Sequence, residues 1–193
     1  MKSVSIAFIL LCCLPFALFA QDSPLSKALK SWIKNPGSEI SKQLKKMKEP
    51  EVKSEAECTL ICQALETVKS HMQNSFDERT EGNIYELTTL FQTASEKEAA
   101  QCLNNKGIPL LVDILSLKKS RQYESGSGSD CEMMMLKVFA MYNSPEGLKK
   151  LSEFVNNDYK NEEYLWSVIL NIASESPAKY YFIIQGLKGK IPT

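Results

Sequence analysis

Six cysteines and one histidine are the side chains here best suited to covalent or metal chemistry, and their spacing limits what they can do. Cys12 and Cys13 lie in an apolar N-terminal run, while Cys58, Cys62, Cys102 and Cys131 lie in the body of the chain. In an oxidising compartment these last four are candidate disulfide cysteines with three pairings open, and spacing does not choose among them. Cys58 and Cys62 are four residues apart in a helical pattern, so they share a face with parallel side chains. Each is better placed to bond with another helix than with the other. The alternative is that all four are small buried apolar groups, since free cysteine packs that way.

Other chemistry is poorly served. His71 is nine and thirteen residues from Cys62 and Cys58 on one expected helix, too far for a Cys–His pair. A contact with Cys102 or Cys131 stays open. A Cys-x3-Cys unit with one distant histidine and two scattered cysteines is not a zinc-ligand spacing. The chain has no Gly-x-Ser-x-Gly elbow, no phosphate-binding glycine loop and no calcium loop. The adjacent carboxylates Asp77-Glu78 and Glu162-Glu163 would point about 100° apart on a helix and read as N-terminal helix charges. The expectation is a non-enzyme without cofactor or metal.

Elements must position these residues, and the first is an address. Residues 1–20 hold 16 apolar side chains and no acid, with Lys2 in front, Pro15 inside and Ala20 before the polar Gln21-Asp22-Ser23. This is the pattern of a cleaved signal peptide, too short to span a membrane, with the cut expected after Ala20. The chain is then secreted or periplasmic. The 173 residues left carry 22 bases and 23 acids, which excludes a bulk nucleic-acid binder. None of the ten asparagines has Ser or Thr two positions on, which leans towards bacterial export.

Apolar spacing beyond residue 20 is helical almost throughout, and no stretch alternates like a strand. Ser23-Pro24 starts a helix carrying Leu25, Ala28, Leu29, Trp32 and Ile33, which Asn35-Pro36-Gly37 ends. A short helix follows through Ile40, Leu44 and Met47, then a long one over about 51–74 with Cys58, Ile61, Cys62, Leu65, Val68 and Met72 inward. Further helices are expected around Ile84–Ala94, Ala99–Leu103, Ile108–Leu115, Asp130–Tyr142, Pro145–Val155, Asn161–Ile172 and Pro177–Ile184. Asn104-Asn105-Lys106-Gly107 is expected to separate two of them, and 118–129 to be a flexible loop. Met133, Met134 and Met135 span too wide an arc for one exposed stripe and read as core. The fold class is all-α.

Pro109, Pro145 and Pro177 each open a helix, 36 and 32 residues apart, which reads as stacked helical hairpins. The segment Cys102-Leu103-Asn104-Asn105-Lys106-Gly107-Ile108-Pro109-Leu110-Leu111-Val112-Asp113-Ile114-Leu115 resembles the join between the second and third helices of an armadillo repeat. Glu162-Glu163-Tyr164-Leu165-Trp166-Ser167-Val168-Ile169-Leu170-Asn171-Ile172-Ala173 is similar to the Ala-Leu-x-x-Leu-x-Asn-Leu-Ala helix of such repeats. The resemblance covers about residues 95–187, with repeats shorter than the family's unit. It implies an armadillo/HEAT-like α-solenoid, here of about nine to ten short helices. The expected organisation is a signal peptide at 1–20, a basic amphipathic helical segment at 21–53 and a helical-repeat domain at 54–193.

Charge is divided along the chain. Residues 24–53 carry eight lysines against three glutamates, and residues 54–100 nine acids against three bases. The basic segment could lie on an anionic membrane as a peripheral contact. The favoured alternative packs it against the acidic section, its lysine stems covering apolar surface. The expected function is an exported protein- or peptide-binding scaffold, because solenoids present extended concave faces. The end of the chain after an apolar helix adds self-association as an expectation. The alternative is a secreted helical carrier of a small apolar ligand or lipid. Cys58-x3-Cys62 followed at a distance by Cys102 faintly resembles the middle of the insect odorant-binding cysteine pattern, without its other cysteines.

Overall fold

The computed structural model describes residues 22–74, 76–120, 130–142 and 144–157. The predicted signal peptide, the glycine–serine stretch and the two helices expected after residue 160 lie outside them. The described elements are α1 (Pro24–Lys34), α2 (Ser41–Leu44), α3 (Glu55–Met72), α4 (Glu78–Thr89), α5 (Lys97–Cys102), α6 (Ile108–Ser120), α7 (Asp130–Tyr142) and α8 (Pro145–Asn157). A 3-10 turn, Leu90–Thr93, ends α4, and a π-helical turn, Leu103–Gly107, joins α5 to α6. The protein is all-α, and no described helix is long and apolar enough to cross a membrane.

Local chemistry sets the helix starts. Ser23, Ser54 and Asp77 are extended residues whose side-chain oxygens accept from the backbone N–H three positions on, capping α1, α3 and α4. Glu57 links two of these starts. It is buried, accepts from the Ser23 hydroxyl and takes the Lys53 N–H at 2.6 Å. Ordering by these bonds starts α3 at Glu55, later than the expected 51, and leaves Val52 free to pair. Val52 N–H donates to Thr93 O at 3.1 Å and Ser95 N–H to Val52 O at 3.2 Å, a single parallel bridge beside the end of α4.

α3 is the central element. Its buried face of Cys58, Ile61, Leu65, Val68 and Met72 meets α1, α4, α5 and α6. Leu25, Leu29 and Trp32 of α1 close one side, so the basic segment and the region after it share one core. The apolar face a membrane would receive is thus packed on α3, with Lys27, Lys30 and Lys34 exposed outward. Each such buried side chain contributes about 1.5–3 kcal/mol relative to exposure. The loop after α1 is held too. Trp32 Nε1 donates to Ser38 O at 2.7 Å, Arg79 to Gly37 O at 2.7 Å, and the Ile40 N–H to the buried Asn83 Oδ1 at 2.9 Å. Around α3 the packing is therefore radial, unlike a ribbon in which each pair touches only its neighbours. α6, α7 and α8 do pack in succession.

Two expectations are corrected. The chain does not turn at Asn104–Gly107 but runs through it as a π turn into α6. Gly107 is needed for closeness rather than for a bend: a Cβ there would stand 2.6 Å from Phe91 Cζ. Residues 118–120, expected in a loop, are helical, because α6 continues to Ser120; the rest of that expected loop lies outside the described residues. Lys118 lies on the helical stripe of Leu111 and Leu115 and is buried with them.

Candidate functional site

The structure brings together one of the three possible cysteine pairings' bonds. Cys58 and Cys102 form a disulfide between α3 and the end of α5, with their Cα atoms 6.2 Å apart. Cys62 and Cys131, the other two candidates, are free thiols. Cys62 lies one turn past Cys58 and is half-buried; burial pushes its thiol up to about 11 although the nearby Lys106 charge opposes this. Cys131 is buried at the start of α7, and burial pushes it up to about 12. Neither is a thiolate near neutral pH, so neither has the reactivity of a nucleophile. His71 is exposed in the last turn of α3. Among the described residues no three His, Cys, Asp or Glu side chains are grouped to hold a metal.

A cleft of about 1020 Å³ opens between the start of α2, the outer side of α4 and the start of α7. Six carboxylates and two cations line it. Asp77 is partly satisfied as the α4 cap: its hydrogen bonds from the Thr80 hydroxyl and N–H, with the nearby Arg79 charge, hold its carboxyl below the ordinary range. Glu81 turns inward to a buried lysine. Glu78, Glu86 and Asp130 make no ion pair among the described residues, so the cleft carries a net negative field. Gly82, Asn83 and Tyr85 form the rest of its α4 wall.

Beneath that wall lies the buried lysine. Lys118 is 2% exposed, 3.0 Å from Glu81 and 2.9 Å from Glu132, and its ammonium stands 5.6 Å from the Phe76 ring centroid. Burial lowers its pKa, but the hydrogen bond and charge of Glu132, with the hydrogen bond to Glu81, outweigh burial and raise it overall. A charge so desolvated persists because both carboxylates face it. It ties α4, α6 and α7 behind the cleft. Composition places a lysine at a loop edge; the signal that would have found it is its place on the apolar stripe of α6.

A second, smaller groove of about 610 Å³ runs between α3 and α6 beside Ile33. Cys62, Leu110 and Pro109 form its apolar part, and the Lys69–Asp113 bridge, 2.7 Å, lies along it. Comparison with known protein families, with curated proteins and with solved structures finds no match. Of the sequence candidates, Cys58 and Cys102 meet, Cys62 lines the smaller groove and Cys131 lines the acidic cleft. Asp77 and Glu78 both border that cleft, as a cap and a free carboxylate rather than as an acid–base pair.

Proposed function

We propose that this is an exported, non-enzymatic helical protein that binds another protein or a peptide through the cleft beside α4. The observation carrying the reading is the cleft's lining: it is wide, open and charged, suited to the polar surface of a macromolecule and unsuited to an apolar ligand. The disulfide between Cys58 and Cys102 is compatible with an oxidising compartment, which supports the signal-peptide reading of residues 1–20 and a secreted or periplasmic location. The helical-repeat reading belongs to the same proposal. It is supported by the succession α6, α7, α8, and the residues that would continue it, 158–193, include the second armadillo-like segment.

The test is the intact mass of the protein taken from its producing cells and ionised gently at low ionic strength. A retained protein or peptide supports the reading. A retained molecule of a few hundred daltons would replace it with the apolar carrier. The denatured mass of the same sample gives the signal cut, expected after Ala20.

A further inference from the structure

α4 contains a local anomaly at the cleft. Gly82 lies inside the helix, is exposed, and, beyond its chain neighbours and its own helix backbone, has no described atom within 4 Å of the position its Cβ would take. Glycine within a helix costs stability relative to alanine. Nothing inside the molecule needs the space, unlike at Gly107, where a Cβ would meet Phe91. A glycine without an internal reason, on a wall facing open solvent, fits the close approach of something from outside. Glu78 and Glu86 lie one turn to either side of it on the same face, separated by eight residues or about 12 Å of rise. That face is a shallow bare centre between two carboxylates.

The complementary surface is on the same chain. Lys27, Lys30 and Lys34 run along the exposed face of α1 over seven residues, about 10.5 Å of rise. Lys30 bonds Asp22 at 2.7 Å, whereas Lys27 and Lys34 make no ion pair among the described residues. The apolar face of α1 is already packed on α3, so this stripe is held in place on a folded body. Two cations about 10.5 Å apart match two carboxylates about 12 Å apart, with Gly82 between them allowing the helices to come close.

We infer that the partner of the α4 face is a second copy of this chain, whose α1 lysine stripe docks across Gly82 between Glu78 and Glu86. This rests on the protein-binding reading of the cleft and names its occupant. The contact joins two different surfaces. It closes into a pair where two copies can exchange α1 faces, and otherwise it continues as a chain of copies. Because its attraction is between exposed charges, added salt weakens it.

The experiment follows the mass of the purified, oxidised mature protein against concentration by sedimentation, at low and high salt. Three variants accompany it: Glu78→Lys with Glu86→Lys, Lys27→Glu with Lys34→Glu, and Gly82→Gln. The expected result is self-association at low salt that high salt reverses. Each charge-reversed variant weakens it by about tenfold or more, and mixing the two restores association. Gly82→Gln is expected to associate as weakly while raising the thermal midpoint by about 2 °C, since a better helix former replaces glycine in open space. That rise separates lost docking from lost folding. A monomer at every concentration, or association unmoved by salt and by all three variants, would overturn the inference. If the native protein nevertheless retains a foreign protein, the broader reading of the cleft stands and only its occupant changes.

Discussion

Removing the ammonium of Lys118 would leave Glu81 and Glu132 facing each other in a site where neither is well hydrated. Lys118→Met is expected to cost about 3 kcal/mol in urea unfolding at neutral pH, the range for breaking a buried pair on one side. A cost of a few tenths would show the group to be solvated. The native lysine also predicts an alkaline limit. Its pKa is raised above the unfolded 10.5, so its contribution is complete below that value and is lost as pH rises through the higher folded one. The free thiols give a second check. In the denatured, unreduced mature chain two cysteines should take an alkylating reagent, Cys62 and Cys131, while in the native chain Cys131 should be protected. Uptake of none, or of four, would contradict the disulfide pattern.

Between elements, contact distance decides more than propensity does. Gly107→Ala would gain helix propensity but place a methyl against Phe91, whose ring is fully buried and stands edge-on to Tyr142 with centroids 5.8 Å apart. The net effect should be a loss of about 1–3 kcal/mol in urea unfolding, the range for overpacking; a stabilised protein would mean the ring yields. Asp77→Ala should cost about 1 kcal/mol through the lost α4 cap. The Asp77 pKa is lowered, so this contribution is present above the unfolded 3.8 and fades as pH falls through the lower folded value. Much at this scale was legible in the sequence. Ser23-Pro24, the apolar stripes of α1 and α3 and the start of α8 at Pro145 all follow from capping and period. The π turn was not, because Asn104-Asn105-Lys106-Gly107 has the composition of a turn and only the Phe91 ring, sixteen residues away, explains its glycine. The buried end of α6 was missed for a like reason: Lys118 is polar by type and apolar by position.

At the scale of the whole molecule, the Cys58–Cys102 disulfide and the buried Lys118 tie a radial core around α3 among the described residues. Cys58–Cys102 closes 44 residues, so reducing it should cost about 4 kcal/mol at 25 °C by the loop-entropy relation. The charge asymmetry between residues 24–53 and 54–100 was legible in the sequence; its arrangement as a lysine stripe and a separate acidic cleft was not, because which face each helix turns outward depends on α3. The proposed function is the binding of another protein at that cleft. The most direct measurement is zero-length carbodiimide coupling of the native complex, which joins carboxylates only to amines already paired with them, followed by mapping of the joined residues. Coupling between molecules is expected from Glu78 and Glu86 to lysines of the bound partner, and is lost when those two glutamates are reversed. Intermolecular coupling confined to other carboxylates, or none at low salt, would contradict it.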